Sequence, residues 1–185
     1  MQFTLTALVG RAIISISPRG RYLMAKMRCI SVIGASTATE EEFRTAEDVG
    51  REVARRGAVL ICGGLGGVME AAAKGAKEAG GLTVGILPGE DTDQMNPYID
   101  IPIVTGIGYA RNVLVAYSGD AMIAVGGKLG TLSELAYGLM QYKPVIGIGT
   151  WGLDLDSRKL DRPGPVIVGD AKEAVLKAFE ALDAK

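Results

Sequence analysis

From residue 27 onward, short apolar runs end in glycine and give way to amphipathic stretches, and few folds accept that rhythm. Run 29–33 ends at Gly34, and run 58–62 ends in Gly63-Gly64-Leu65-Gly66-Gly67. Run 121–125 ends in Gly126-Gly127-Lys128-Leu129-Gly130, and run 144–148 carries Gly147 with Gly149 just beyond it. Such runs, too short for helices and rich in Val and Ile, read as buried parallel strands. Glycine makes up 26 of the 185 residues, about twice the typical ~7%. No G-X-Y period accompanies it, and proline is ordinary at 7, so neither a collagen nor a disordered composition accounts for the excess.

The stretches between the runs have helical periodicity. Over 40–56, Phe43, Ala46, Val49, Val53 and Ala54 share one face, with Glu41, Asp48, Glu52 and Arg55 opposite, and Gly57 is placed as the C-terminal stop. Further helices are expected over 68–79, 109–117, 131–141 and 170–182. Further strands are expected over 83–86, 101–104 and 165–168, with Pro102 suited to an edge. Run 121–125 looks like the most central strand. Alternation of this kind predicts an α/β, Rossmann-like, doubly wound domain with a mainly parallel sheet and helices on both faces. Right-handed crossovers gather the strand C-terminal ends on one edge, where such folds bind ligands at the point of strand-order reversal. The glycine loops follow strands and therefore mark that edge.

A single domain is expected over 27–185. Residues 1–26 hold three arginines and no acidic residue. They make a poor secretory signal and read as an optional extension, whose 13–16 core is able to add an edge strand. No histidine is present, which removes imidazole bases, Ser-His-Asp and Cys-His pairs, and histidine-rich metal sites. Cys29 and Cys62 lie in strand-like runs and read as reduced packing thiols, and no metal site is expected. A net charge of −1 provides no basic stripe for nucleic acid. No apolar run reaches the ~18 residues of a membrane span. The chain is accordingly expected to be cytoplasmic, without nucleic-acid or membrane partners.

Chemistry must then come from carboxylates, Arg, Lys, hydroxyls and backbone amides. The loop 63–67 is not a Walker A motif and fits G-x-G-x-x-G poorly; it reads as a phosphate cradle or as a tight turn. Thr131-Leu132-Ser133-Glu134 has the form of a T-x-x-E capping box, and Glu134 can also supply a carboxylate to the crevice floor. Arg111, followed by Asn112, is either a solvated residue at a helix start or a guanidinium that holds phosphate or carboxylate. Ser36 can cap or donate to phosphate. Tyr109 and Trp151 suit stacking on a base or filling space.

Together, Gly34-Ala35-Ser36, Gly63 through Glu70, Arg111-Asn112 and Gly126 through Glu134 resemble the Lonely Guy (LOG) group. That group also carries a lysine decarboxylase label and belongs to a nucleotide-binding superfamily with the DNA-processing protein DprA and the molybdenum-cofactor carriers. The resemblance spans about 27–149. It implies that Glu134 and Arg111 are the counterparts of the catalytic pair that hydrolyses the N-glycosidic bond of a nucleoside 5'-monophosphate, a reaction needing no cofactor. It also implies ligand binding by Gly34, Ser36, Gly63, Gly64, Gly66, Gly67, Met69, Asn112, Gly126, Gly127, Gly130 and Thr131. Two departures from the PGGxGTxxE form stand out, Val125 in place of the proline and one extra residue between the glycine pair and Gly130-Thr131, and upstream Asn112 replaces the lysine that follows the arginine. These bring the chain nearer the molybdenum-cofactor carriers. That branch implies binding of a nucleotide or another phosphorylated ligand, the molybdenum cofactor included, with the phosphoribohydrolase activity as the alternative. The resemblance further implies a homodimer or homotetramer. A pyridoxal-phosphate decarboxylase is not supported, since no lysine here has a neighbouring histidine.

Overall fold

Strand β4 (Cys29–Gly34) lies at the middle of a seven-stranded, all-parallel sheet. The computed structural model describes residues 27–153, 155 and 163–184 in full, and the backbone alone of 5–9, 12–16 and 22–24. In those first segments β1 (Leu5–Val9), β2 (Ala12–Ile16) and β3 (Tyr22–Met24) pair antiparallel in a sheet of their own. The expected strand at 13–16 therefore forms, but it does not extend the main sheet as an edge.

The main sheet follows from alternation along each strand. Ile30 and Val32 of β4 join an apolar cluster on one face with residues of α1 (Glu40–Arg55), α2 (Val68–Glu78) and α5 (Ala171–Asp183). Ile33 points the other way, into a cluster with Val115 of α3 (Asn112–Ser118) and Leu135 of α4 (Leu129–Met140). Ser31 also faces that side, and its hydroxyl donates to the Val115 carbonyl at 2.6 Å, so its burial leaves no polar group unpaired. The doubly wound α/β expectation holds.

The chain runs from β4 outward through β5 (Val59–Cys62) and β6 (Thr83–Leu87) to the edge strand β7 (Ile101–Val104). Pro102 accordingly sits on an edge, where a missing amide is tolerated. The chain then crosses back through a 3-10 turn (Gly108–Arg111) and α3 to β8 (Ala121–Val125), on the other side of β4. From there it continues through β9 (Val145–Ile148) to β10 (Val166–Val168). The strand expected to be most central, β8, is instead next to the centre. Its five residues are all buried, as are the four of β5 and β9, so apolarity alone cannot rank interior strands. The order reverses between β4 and β8, and this reversal locates the ligand edge.

Glycine serves a second purpose away from that edge. A methyl group on Gly50 of α1 would lie 1.9 Å from the Ala72 carbonyl oxygen, and one on Gly75 of α2 would lie 1.9 Å from that of Glu47. The two helices thus meet backbone to backbone, which offsets the roughly 0.5–1 kcal/mol that a helical glycine costs.

Candidate functional site

A cleft of about 240 Å³ opens over the β4–β8 reversal. Four segments supply its walls: the end of β4, the loop after β5, the 3-10 turn before α3, and the start of α4. Of the residues singled out in the sequence, Gly34, Ser36, Gly63, Met69, Arg111, Asn112, Gly130, Thr131 and Glu134 line it. Gly64, Gly66, Gly67 and Gly126 lie outside the lining, and Gly127 lines a neighbouring cavity. Gly64 and Gly67 turn the chain at positive φ (74° and 66°), against Leu87 and against the Ala35–Ser36 backbone respectively.

Arg111 is the centre of the arrangement and is only 6% exposed. Its placement rules out the solvated helix-start reading. One terminal nitrogen, Nη1, donates to Asn112 Oδ1 at 2.6 Å and reaches Glu134 Oε1 at 3.5 Å. The other, Nη2, donates to the Gly63 carbonyl at 3.3 Å. A Cβ at residue 63 would lie 2.5 Å from Nη2, so the guanidinium occupies space that only glycine leaves open. Arg111 Nε is buried with no hydrogen-bond partner, and a buried N–H left unpaired carries a desolvation cost of about 1–3 kcal/mol. Asn112 completes the scaffold: its amide donates to Ser133 Oγ and the Gly130 carbonyl at 3.2 and 3.4 Å, tying α3 to the first turn of α4.

Glu134 is 5% exposed. Burial pushes its carboxyl up to about 7, and the neighbouring Arg111 opposes that rise. Burial likewise lowers the Arg111 pKa, and Glu134 raises it. The cleft floor therefore holds a guanidinium beside a carboxyl that exchanges its proton near neutrality. Cys62, just beneath, is fully packed, and burial lifts its thiol to about 11, consistent with a packing role.

The start of α4 corrects one expectation. The helix begins at Leu129, two residues before the expected start at 131, with Lys128 as the extended N-cap residue and no side-chain cap. The Thr131–Glu134 capping box does not form; Glu134 turns to Arg111 instead. Leu132 N already bonds the Lys128 carbonyl, while the amides before it are left without a capping side chain. Helix α2 also starts without a side-chain cap, at Gly67, and its Met69 lines the cleft. Uncapped helix starts with their partial positive charge favour an anion. Lys128, Leu65 and Ala35 line the cleft and carry no assignment from the sequence. The readable signal for Lys128 is its place in the stretch before Gly130 that is one residue longer than the PGGxGTxxE form. Tyr109 lines the cleft rim, 89% exposed; Trp151 is not part of the lining. Among the described residues, no group of three His, Cys, Asp or Glu is placed to hold a metal ion, and no helix is long and apolar enough to cross a membrane.

A family model described as the SLOG cluster4 family matches residues 27–176. The cytokinin riboside 5'-monophosphate phosphoribohydrolase of Mycobacterium tuberculosis is 32% identical over 141 residues, covering 66% of this chain and 71% of that protein. The molybdenum cofactor binding protein of the phototrophic bacterium Rippkaea orientalis superimposes with a TM-score of 0.75 at 38% identity, over 85% of this chain and 98% of its own. The Moco carrier protein of Chlamydomonas reinhardtii superimposes with a TM-score of 0.78 at 35% identity, over 86% of this chain and all of its own.

Proposed function

The chain belongs to the SLOG cluster4 family, and from that premise we propose that it binds a phosphorylated, ring-bearing ligand of the nucleotide or molybdenum-cofactor class in the Arg111 cleft. One observation carries this reading: a buried guanidinium with an unpaired Nε lines the same cleft as the uncapped first turn of α4. Phosphate satisfies both, by hydrogen bonds to helix amides and by charge. Apolar residues of the wall, Ile33, Leu65 and Met69, suit the face of a pterin or a base. The molybdenum cofactor is cargo in this reading; Gly130, Thr131 and Arg111 would hold its phosphate end. The names of the Rippkaea and Chlamydomonas proteins support this choice.

The test is titration of the purified chain with AMP and, separately, with molybdenum cofactor released from a molybdoenzyme, followed by calorimetry. Saturable binding of at least one, lost in Arg111→Ala, is expected. Absence of binding to both overturns the reading.

The placement of Glu134 favours a second reading. Freed from capping and held beside Arg111, its carboxylate suits the positive charge that develops when the N-glycosidic bond of a nucleoside 5'-monophosphate breaks. Water adds its oxygen to the anomeric carbon, its proton goes to the departing base, and no cofactor takes part. The mycobacterial relative's name supports this alternative. Incubation with AMP decides it: adenine release by the wild type above a Glu134→Gln control is expected, and equal release removes the reading. We also propose self-association, supported by exposed Leu114 and Tyr117 on α3 and Met140 on α4. Light scattering that returns a monomer mass overturns that.

A further inference from the structure

A second cavity of about 330 Å³ lies beside the Arg111 cleft, and the two share Ala35 and Lys128 in their walls. The charges around this boundary are unequal. In the first cleft Arg111 is paired with Glu134. Lys128 pairs with no carboxylate or other acceptor among the described residues. It also stands at the N-terminus of α4, where the helix dipole disfavours a cation and no side chain caps the amides. The orphaned Arg111 Nε points to a ligand in the same cleft independently of that helix start. A cation without a carboxylate partner thus stands where the two cavities meet.

The second cavity has the opposite character. Its wall includes the start of α1, which closes itself with the Thr39–Glu42 box and carries Glu40, Glu41 and Glu42 in its first turn. That end repels a further phosphate. Thr37, Thr39 and Glu42 line this cavity; the threonine hydroxyls and the Glu42 oxygen not used in the box suit a ligand rich in hydroxyls. Glu42 is seated by the opposite loop: a Cβ on Gly126 would lie 1.8 Å from its Oε1, so the glycine after β8 makes room for the carboxylate.

We propose that the ligand carries its phosphate in the middle, as a phosphodiester or diphosphate. One substituent, the ring-bearing one, occupies the Arg111 cleft. The other, a hydroxyl-rich group such as a sugar, occupies the Thr37–Thr39–Glu42 cavity, and Lys128 holds the bridge together with Gly130, Thr131 and Arg111 of the first cleft. A terminal phosphomonoester fills only the first cleft. This rests on the reading that the Arg111 cleft binds a phosphorylated ligand.

Calorimetry with AMP and with diadenosine diphosphate tests it, using the whole chain as wild type, Lys128→Gln and Thr37→Trp. Thr37 is exposed and lines the second cavity but not the first, so tryptophan there is expected to fill the second cavity. Wild type is expected to bind the diphosphate about ten-fold or more tighter than AMP, the worth of one charge-assisted contact. Thr37→Trp should erase that preference and leave AMP binding in place, and Lys128→Gln should weaken the diphosphate at least as much as AMP. Equal wild-type affinities, or a preference that survives Thr37→Trp, overturn the bridged ligand while the Arg111 cleft stands. If neither nucleotide binds, nor molybdenum cofactor, the cleft reading fails and this one falls with it.

Discussion

The chain contains the same four-residue pattern at two helix starts along one sheet edge, Thr39-Glu40-Glu41-Glu42 before α1 and Thr131-Leu132-Ser133-Glu134 in α4. Only the first is a capping box. Thr39 Oγ1 accepts from Glu42 N at 3.2 Å, and Glu42 Oε2 accepts from Thr39 N at 2.8 Å. In the second, the helix has already begun at Leu129, so Thr131 stands inside the first turn and Glu134 is free to meet Arg111. The difference shows that T-x-x-E acquires its meaning from where the backbone enters the helix. A helix that closes its own start contributes stability and rejects anions. One that leaves its start open gives up that stabilisation and becomes a place for a ligand.

The largest expected effect separates the two glutamates by pH. Glu134 titrates near 7 in the folded chain and near its ordinary 4.5 when unfolded. Below pH 4.5 both states hold the proton and nothing is lost. Between 4.5 and 7 the folded state holds more protons than the unfolded one, so stability falls as pH rises. The loss is complete above about 7 and amounts to about 3 kcal/mol. Denaturant midpoints of wild type and Glu134→Gln across that window should therefore diverge, with this part of the slope absent in the variant. Glu42→Gln should keep the slope and cost under about 0.5 kcal/mol, because glutamine also completes a capping box. Parallel profiles for wild type and Glu134→Gln would remove the claim that burial of the Glu134 carboxyl outweighs its pairing with Arg111.

Converting one helix start into the other is the next test. Lys128→Asp provides α4 with a favoured N-cap side chain and an anion at its dipole. A gain of about 1 kcal/mol in stability is expected. The same substitution places a negative charge where phosphate is proposed to bind, so affinity for AMP should fall by about ten-fold or more. Opposite signs in melting and binding are the signature of a site left open for ligand. Both falling together would mean that Lys128 supports the fold.

Much of this was legible in the residues, and the exceptions have physical causes. Short apolar runs with glycine stops mark β4, β5, β8 and β9, and the face of Ala46, Val49 and Val53 marks α1. The order of interior strands was not legible, because the residues of β5, β8 and β9 are uniformly buried and hydrophobicity does not record neighbours. Gly63 reads as part of a loop in the sequence, but its role as the seat of a guanidinium depends on Arg111 arriving from 48 residues away. Arg111 and Glu134 stand out in the sequence as a candidate anion-holding guanidinium and a candidate crevice carboxylate, and the resemblance joins them as a pair; their burial against each other emerges only when the 3-10 turn and α4 pack. The early start of α4 depends on Gly126 and Gly127, whose φ values of 53° and 112° turn the chain into the helix at Leu129. A pattern match on Thr131 and Glu134 carries no trace of those angles.

The smallest effect is the most direct on the paired motifs. Thr39→Ala removes the oxygen that accepts from Glu42 N and leaves an amide at a helix start dependent on water. Loss of about 1 kcal/mol is expected, with nucleotide binding in the Arg111 cleft unchanged. Thr131→Val keeps the shape of a residue 2% exposed and removes a hydroxyl that caps nothing. Its stability should stay within about 0.5 kcal/mol of wild type, while affinity for AMP falls, because Thr131 lines the cleft. Chemical denaturation and calorimetry on the two variants side by side decide the matter. Should Thr131→Val destabilise as much as Thr39→Ala, Thr131 would be acting as a structural residue after all, and the contrast between a closed and an open helix start would lose its basis.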